Sequence, residues 1–154
     1  MALSGEAGEA GEIVELVIAL MGRFKDHFLR CISDLGLTPP QATALRHLGE
    51  PLSQRELASC LHYDASNITS IVDGLEQRGL VVRHIDPADR RIRRIVLTDE
   101  GREMLARLHE RLVEDAPVLD ELDAAERRQF RVLLGKIVEP ELLGHLTGTG
   151  GVRS

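Results

Sequence analysis

The chain has 154 residues, a formal net charge of −6, and a composition that is 43% hydrophobic but only 3% aromatic. That length suits one domain, with a core of Leu, Val, Ile and Ala. No apolar run reaches the roughly 18 residues of a membrane span, no basic, apolar leader opens the chain, and Cys31 and Cys60 form no C-x-x-C motif, so a cytoplasmic protein with free thiols is expected.

From about Glu9 to Leu35, apolar residues recur at helical spacing: Ile13, Leu16, Val17, Leu20, Met21, Phe24, Phe28, Cys31 and Ile32. This predicts one long helix, with residues 2–8 as a loose tail. So small a domain cannot cover such a helix, and part of its stripe should meet another chain. Gly36-Leu-Thr-Pro-Pro40 stops it, and Thr38 caps a second helix with Pro39 at its first position. That helix carries Ala42, Leu45 and Leu48 and ends near Gly49, with a short strand expected at Pro51 and Leu52.

Ser53 and Glu56 form a capping box ahead of a short helix with Leu57, Ala58 and Leu61 on one face. After a tight turn comes Asp64-Ala-Ser-Asn-Ile-Thr-Ser-Ile-Val-Asp-Gly-Leu-Glu-Gln-Arg78. Asp64 stands at the N-cap, where its carboxylate is expected to accept the N–H of Ser66 or Asn67. Ile68, Ile71, Val72 and Leu75 make an apolar back, and Gly79 ends the helix. The front bears Ser66, Asn67, Thr69 and Ser70. Taken alone, that front is equally an ordinary solvated face. Behind a capped helix and a tight turn, it has the form of a helix-turn-helix recognition helix.

Two β-branched runs between Gly79 and Thr98 flank the turn Asp86-Pro-Ala-Asp-Arg90 and predict a hairpin. Its tip and second strand carry Arg90, Arg91, Arg93 and Arg94. In an acidic chain this is a local reversal of sign, as contact with nucleic-acid phosphates requires. Helix resumes at Thr98 and Asp99, with Met104, Leu105, Leu108, Leu112 and Val113 on one face, and Pro117 bends or ends it. Asp123 and Glu126 then box a last helix that carries Phe130, Leu133, Leu134, Ile137, Val138, Leu142 and Leu143, kinked by Pro140. Residues 148–154 read as a loose tail. No P-loop, G-x-G-x-x-G, nucleophile–base pair or paired carboxylates appear, so an enzyme is not expected.

Leu37-Thr-Pro-Pro-Gln-Ala-Thr-Ala-Leu45, Leu75-Glu-Gln-Arg-Gly-Leu-Val81, Asp86-Pro-Ala-Asp-Arg-Arg91 and Val96-Leu-Thr-Asp-Glu-Gly-Arg102 follow one another in a fixed register. In this the chain resembles the MarR (multiple-antibiotic-resistance regulator) family of winged helix-turn-helix repressors. The resemblance covers nearly the whole chain. It implies a single MarR-like domain over residues 1–154, mainly α with a small β wing. A winged helix-turn-helix lobe would span residues 37–98, and a connecting helix 99–117. Dimerisation helices would lie at 9–35 and 119–146, intertwined in a two-fold homodimer. The implied partner is double-stranded DNA with a palindromic site, released by a small-molecule effector. The alternatives are a protein-interaction module with a degenerate winged helix, or a redox- or zinc-responsive regulator.

On this reading Ser66, Asn67, Thr69 and Ser70 face the major groove, with Asn67 best suited to pair bidentately with adenine. Arg90 and Arg91 resemble the family's minor-groove arginines, unless one pairs with Asp64, Asp73 or Asp89 to hold the wing. Arg93 and Arg94 serve strand and phosphate. Ser53, Gln54 and Arg55, heading the first helix of the pair, are expected at phosphates. Many relatives carry arginine where this chain has Ser70 and Gly74, which implies a shallower salt dependence unless Arg46, Arg55 and Arg78 compensate. Gly74 also costs about 1 kcal/mol relative to Ala within a helix. The implied effector pocket lies between dimerisation helices and lobe, with Arg23, His27, Phe28 and His47 as candidate walls. Peroxide-sensing members use a cysteine near the start of the first helix, supported by tyrosines. Here Cys31 lies near its end and the one tyrosine is Tyr63, so inert thiols are expected. His27, Cys31, His47 and His109 lack tight ligand spacing, so neither metal nor cofactor is expected.

Overall fold

The computed structural model describes residues 3–114, 116 and 119–138. Helix α1 spans Leu3–Asp34, about 48 Å at 1.5 Å per residue. It begins earlier than expected. Ala7, Ala10, Glu6 and Glu9 are strong helix formers, and they outweigh the glycines among them. Gly36, at φ +63°, reverses the chain, and the Leu37 N–H returns to the Ile32 carbonyl at 2.9 Å.

Helix α2 (Pro39–His47) opens with a complete capping box, Thr38 with Gln41. Strand β1 is Leu52–Ser53. Helix α3 (Gln54–Leu61) opens with the expected Ser53–Glu56 box and ends at His62 in the left-handed region. Helix α4 spans Ala65–Gln77. Strands β2 (Val81–Ile85) and β3 (Arg93–Leu97) form the hairpin. β3 is the centre of an antiparallel sheet ordered β1-β3-β2, with Val81 opposite Leu97 and Leu52 opposite Ile95. Helix α5 is Asp99–Glu114. Helix α6 is Ala124–Ile137, boxed by Asp123 and Glu126. The expectations for Pro117, Pro140, Leu142, Leu143 and the tail at 148–154 lie outside the described residues.

One core joins the elements from the end of α1 to α5: Ile32 of α1 and Leu37 just after it, Leu45 of α2 and Leu48 at its C-cap, Leu57 of α3, Ile68, Val72 and Leu75 of α4, Val81, Ile95 and Leu97 of the sheet, and Met104 and Leu108 of α5. The apolar periodicity of each segment points at it, as helical spacing of 3.6 and strand spacing of 2 require. Thr98 locks the joint between wing and α5. Its hydroxyl donates to the Gly79 carbonyl at 2.6 Å and accepts from the Gly101 N–H at 3.0 Å. A Cβ on Gly101 would lie 2.0 Å from the Leu80 carbonyl oxygen, so the close approach of α5 demands glycine.

The two end helices differ. Residues 8–19 of α1 are all exposed, although Ile13, Val14, Leu16, Val17 and Ile18 are among them. Among its described residues α6 buries none, and Val132, Leu133, Leu134 and Ile137 are exposed.

Candidate nucleic-acid interface

The buried back of α4 turns its front outward, and Ser66, Asn67, Thr69 and Ser70 are all exposed. Their hydroxyls and amide are not equally free. Thr69 Oγ1 donates to the Ala65 carbonyl at 2.9 Å and accepts from Gln54 Nε2 at 2.5 Å. Ser70 Oγ donates back to the Ser66 carbonyl at 3.4 Å. The Asn67 amide makes no hydrogen bond among the described residues, which leaves both its donor and its acceptor available. Asp64 has N-cap backbone geometry, but its carboxylate makes no cap bond, contrary to expectation. The helix is anchored instead by its buried apolar back and by the Ile68 N–H bonded to the Asp64 carbonyl.

The wing is held by arginines other than those the sequence suggested. Arg94 donates through Nε to Asp86 at 2.7 Å and through Nη1 to Glu56 at 2.8 Å. Asp86 is buried, and it also accepts the Ala88 N–H at 2.8 Å, which shapes the tip. Arg94 holds the Asp86 carboxyl below the usual carboxylate range, and the Ala88 N–H adds to this. The Ser53 backbone N–H and hydroxyl do the same for Glu56, with Arg94 contributing. Arg83, on β2, pairs with Asp73 at 2.5 Å and with Glu76, tying the wing to α4. Arg94 is therefore engaged by two carboxylates and braces the wing. Asp73 takes Arg83 rather than Arg90 or Arg91. Among the described residues Arg90, Arg91 and Arg93 make no side-chain ion pair, and all three are exposed. Arg91 is fixed at the tip through its backbone N–H, bonded to Asp89 at 2.9 Å.

A cleft of about 640 Å³ lies between the head of α3 and the wing, lined by Ser53, Gln54, Arg55, Arg83, Arg91 and Arg93 among others. The three residues expected at phosphates thus sit across from two of the wing arginines. The Ser53 hydroxyl and Gln54 amide are partly engaged, by Glu56 and Thr69. Arg55 is exposed and makes no ion pair among the described residues. Of the three arginines expected to compensate for Ser70 and Gly74, Arg55 alone is placed to do so. Arg78 is committed to the carbonyls of Gly36 at 2.7 Å and Leu35 at 3.2 Å, clamping the end of α1. Arg46 is half-buried in α2, and burial pulls its guanidinium below its ordinary value. Gly74 faces α2, where a Cβ would come within 2.8 Å of Gln41 Nε2.

The four candidate effector-pocket residues do not converge. Arg23 is exposed and pairs with Glu121 at 2.8 Å. His27 is buried, with Nε2 3.1 Å from the Leu112 carbonyl and the Cys31 Sγ 3.6 Å away. His47 is half-buried at the end of α2. Phe28 lines an open cleft with Phe24, Lys25, Arg46 and Leu112. Cys31 is buried and donates to the Arg111 carbonyl at 3.4 Å. Cys60 is half-buried. Among the described residues no three His, Cys, Asp or Glu side chains gather as a metal site would need, and no helix is long and apolar enough to cross a membrane.

A sequence model described as the MarR family matches residues 35–92, most of the lobe. The HTH-type transcriptional regulator YkoM of Bacillus subtilis (strain 168) is 30% identical over 142 residues, covering 88% of this chain and 92% of YkoM. The chain belongs to the MarR family. It is thus an HTH-type transcriptional regulator that binds DNA, not an enzyme. Its MarR fold superposes with a TM-score of 0.75 on a MarR family protein from Bacillus stearothermophilus, at 26% identity and covering 84% of this chain and 92% of that one. CouR from Rhodococcus jostii RHA1, solved bound to p-coumaroyl-CoA, is 30% identical with a TM-score of 0.66, covering 83% and 92%. Other curated matches are shorter: with the HTH-type transcriptional regulator PecS of Dickeya dadantii (strain 3937), 35% identity extends over 58% of PecS.

Proposed function

We propose that the chain acts as a homodimeric repressor, bound to a palindromic operator and released by a small effector. The observation that carries the DNA-binding part is a set of exposed, unengaged side chains: Asn67 on the front of α4, Arg55, Arg91 and Arg93 around the cleft between α3 and the wing, and Arg90 at the wing tip. Asn67 reads a base in the major groove, with Ser66 and Ser70 beside it. Thr69, engaged with Gln54, serves chiefly to set that side chain. Arg90 and Arg91 enter the minor groove, and Arg55, Ser53, Gln54 and Arg93 meet phosphates.

The uncovered apolar faces of α1 and α6 support the dimer. Pairing two chains through them places two recognition helices about 34 Å apart, one turn of DNA. An effector that prefers the dimer with misfitting lobes by roughly 1–3 kcal/mol lowers operator affinity about 5- to 150-fold. CouR, which binds p-coumaroyl-CoA, supports an organic effector.

Affinity selection from random-sequence DNA, followed by salt titration on the winner, tests the reading. The expected result is a two-fold symmetric site with half-sites about ten base pairs apart. Absence of enrichment at low salt would overturn it.

A further inference from the structure

The two end helices, the arms of the chain, carry opposite charge. From Leu3 to Gly22, α1 holds Glu6, Glu9, Glu12 and Glu15 and no lysine or arginine. Helix α6 holds Arg127, Arg128, Arg131 and Lys136 against one acid, Glu126, which closes its own capping box. Glu9, Glu12, Glu15 and the cations of α6 are all exposed, and among the described residues none of them takes part in an ion pair. A single exposed ion pair contributes little to stability. Across an interface, however, charges of fixed sign select the partner and its register.

Between α1, α5 and α6 lies a groove of about 870 Å³. Phe24, Leu112, Phe130 and Leu134 give it apolar walls, and Arg127 and Arg131, one turn apart, stand along its α6 side. That side runs from Arg127 to Val138, about 18 Å at 1.5 Å per residue. The exposed stretch of α1, residues 8–19, has the same length and carries Ile13, Leu16 and Val17. Glu9 and Glu12 stand one turn before Ile13 and Leu16, on the same face. The chain's own α1 cannot fill the groove. It is one continuous helix that lends Phe24 to the groove wall, so its exposed stretch runs on past it.

We infer that the groove of one copy receives α1 of the second, with Ile13, Leu16 and Val17 against the apolar walls and Glu9 and Glu12 at Arg127 and Arg131. The other arm of the second copy does not fit. Its α6 carries the same sign as the groove and would set these arginines against their own copies. A two-fold axis makes the exchange reciprocal, so both grooves fill and the assembly closes at two chains. A chain of similar fold without this division of sign meets like charges in the groove and is rejected. The inference rests on the proposed homodimer and goes beyond it: charge decides which arm meets which, and makes the pairing selective for this chain.

Sedimentation velocity of the full chain over a dilution series, which yields the dimer Kd, tests it, with circular dichroism as the check on folding. The double variants Glu9→Arg, Glu12→Arg and Arg127→Glu, Arg131→Glu are each expected to dimerise roughly 10- to 100-fold more weakly than the parent. Mixed in equal amounts, they are expected to form a mixed dimer of nearly parental strength, since every groove then meets a helix of opposite sign. Two chains damaged by misfolding could not restore one another in this way. Either double variant dimerising as the parent does, or a mixture that restores nothing, would overturn the inference. Tighter dimerisation of Arg127→Glu, Arg131→Glu alone would also overturn it, by placing the partner's α6 in the groove. A parent chain that stays single at every concentration would refute the proposed dimer and this pairing with it, whereas a parent dimer indifferent to these charges would refute the pairing alone.

Discussion

The lobe and its two end helices obey different rules. In the lobe every apolar stripe finds a partner within the chain, and a polar network runs from Asp86 through Arg94 and Glu56 to Ser53. Among the described residues, the first two-thirds of α1 and most of α6 leave theirs uncovered: Leu16 is 63% exposed, Met21 66% and Ile137 77%. Contiguous exposed apolar surface of this kind marks an interaction site rather than a finished surface. On the proposed dimer, the unit able to touch DNA is folded by one chain, while its spacing on DNA is set by two.

The comparison breaks most decisively at Gly101. Gly101→Ala drives a methyl into the Leu80 carbonyl, and a loss of about 3 kcal/mol is expected. It would be read in urea denaturation as a lower midpoint with an unchanged slope. Little change would mean that α5 can back away from the wing and that the lobe is less closed than described. The next effect concerns DNA. The double variant Arg90→Ala, Arg91→Ala is expected to bind operator roughly 10- to 100-fold more weakly, with the dependence of log affinity on log salt shallower by about 1 to 2. Asn67→Ala is expected to lose about 1–3 kcal/mol at one base position. Its salt slope should not move, which separates base reading from phosphate contact.

The smallest effect is on pH dependence. The Asp86 and Glu56 carboxyls titrate below their ordinary range in the folded lobe. Their contribution to stability is whole above the unfolded values near about pH 4, and it is lost as pH falls through the lower folded values. Arg94→Met removes the leading cause for Asp86, so acid unfolding of the variant should show a flatter dependence below about pH 4. A curve parallel to that of the parent protein would show that Arg94 does not hold the wing.

Much of this was legible in the sequence because it is periodic or local. Apolar spacing located α2, α4 and α5, and the pairs Ser53–Glu56 and Asp123–Glu126 announced two helix starts from adjacent residues. The cap bond at Asp64 did not form, because a suitable residue at an N-cap permits that bond without compelling it. The division of labour among the arginines was hidden, since a run of like residues does not say which will find a carboxylate. Strand alternation separates Arg93 from Arg94, but the carboxylates Arg94 meets lie 38 and 8 residues away. Arg83 was overlooked because its partners lie on α4, across the turn at Gly79. The cleft beside Arg46 was not legible because three helices build it, α1 with Phe24 and Phe28, α2 with Arg46 and α5 with Leu112.

Sedimentation equilibrium, on the parent chain and on Leu16→Glu with circular dichroism as the check on folding, tests the contrast between lobe and arms most directly. The account predicts a parent mass of twice the 17.0 kDa chain, and a Leu16→Glu protein that sediments as a single chain with the signature of a folded lobe. A parent chain that sediments at its single mass while fully helical, or a Leu16→Glu protein that remains paired, would contradict it.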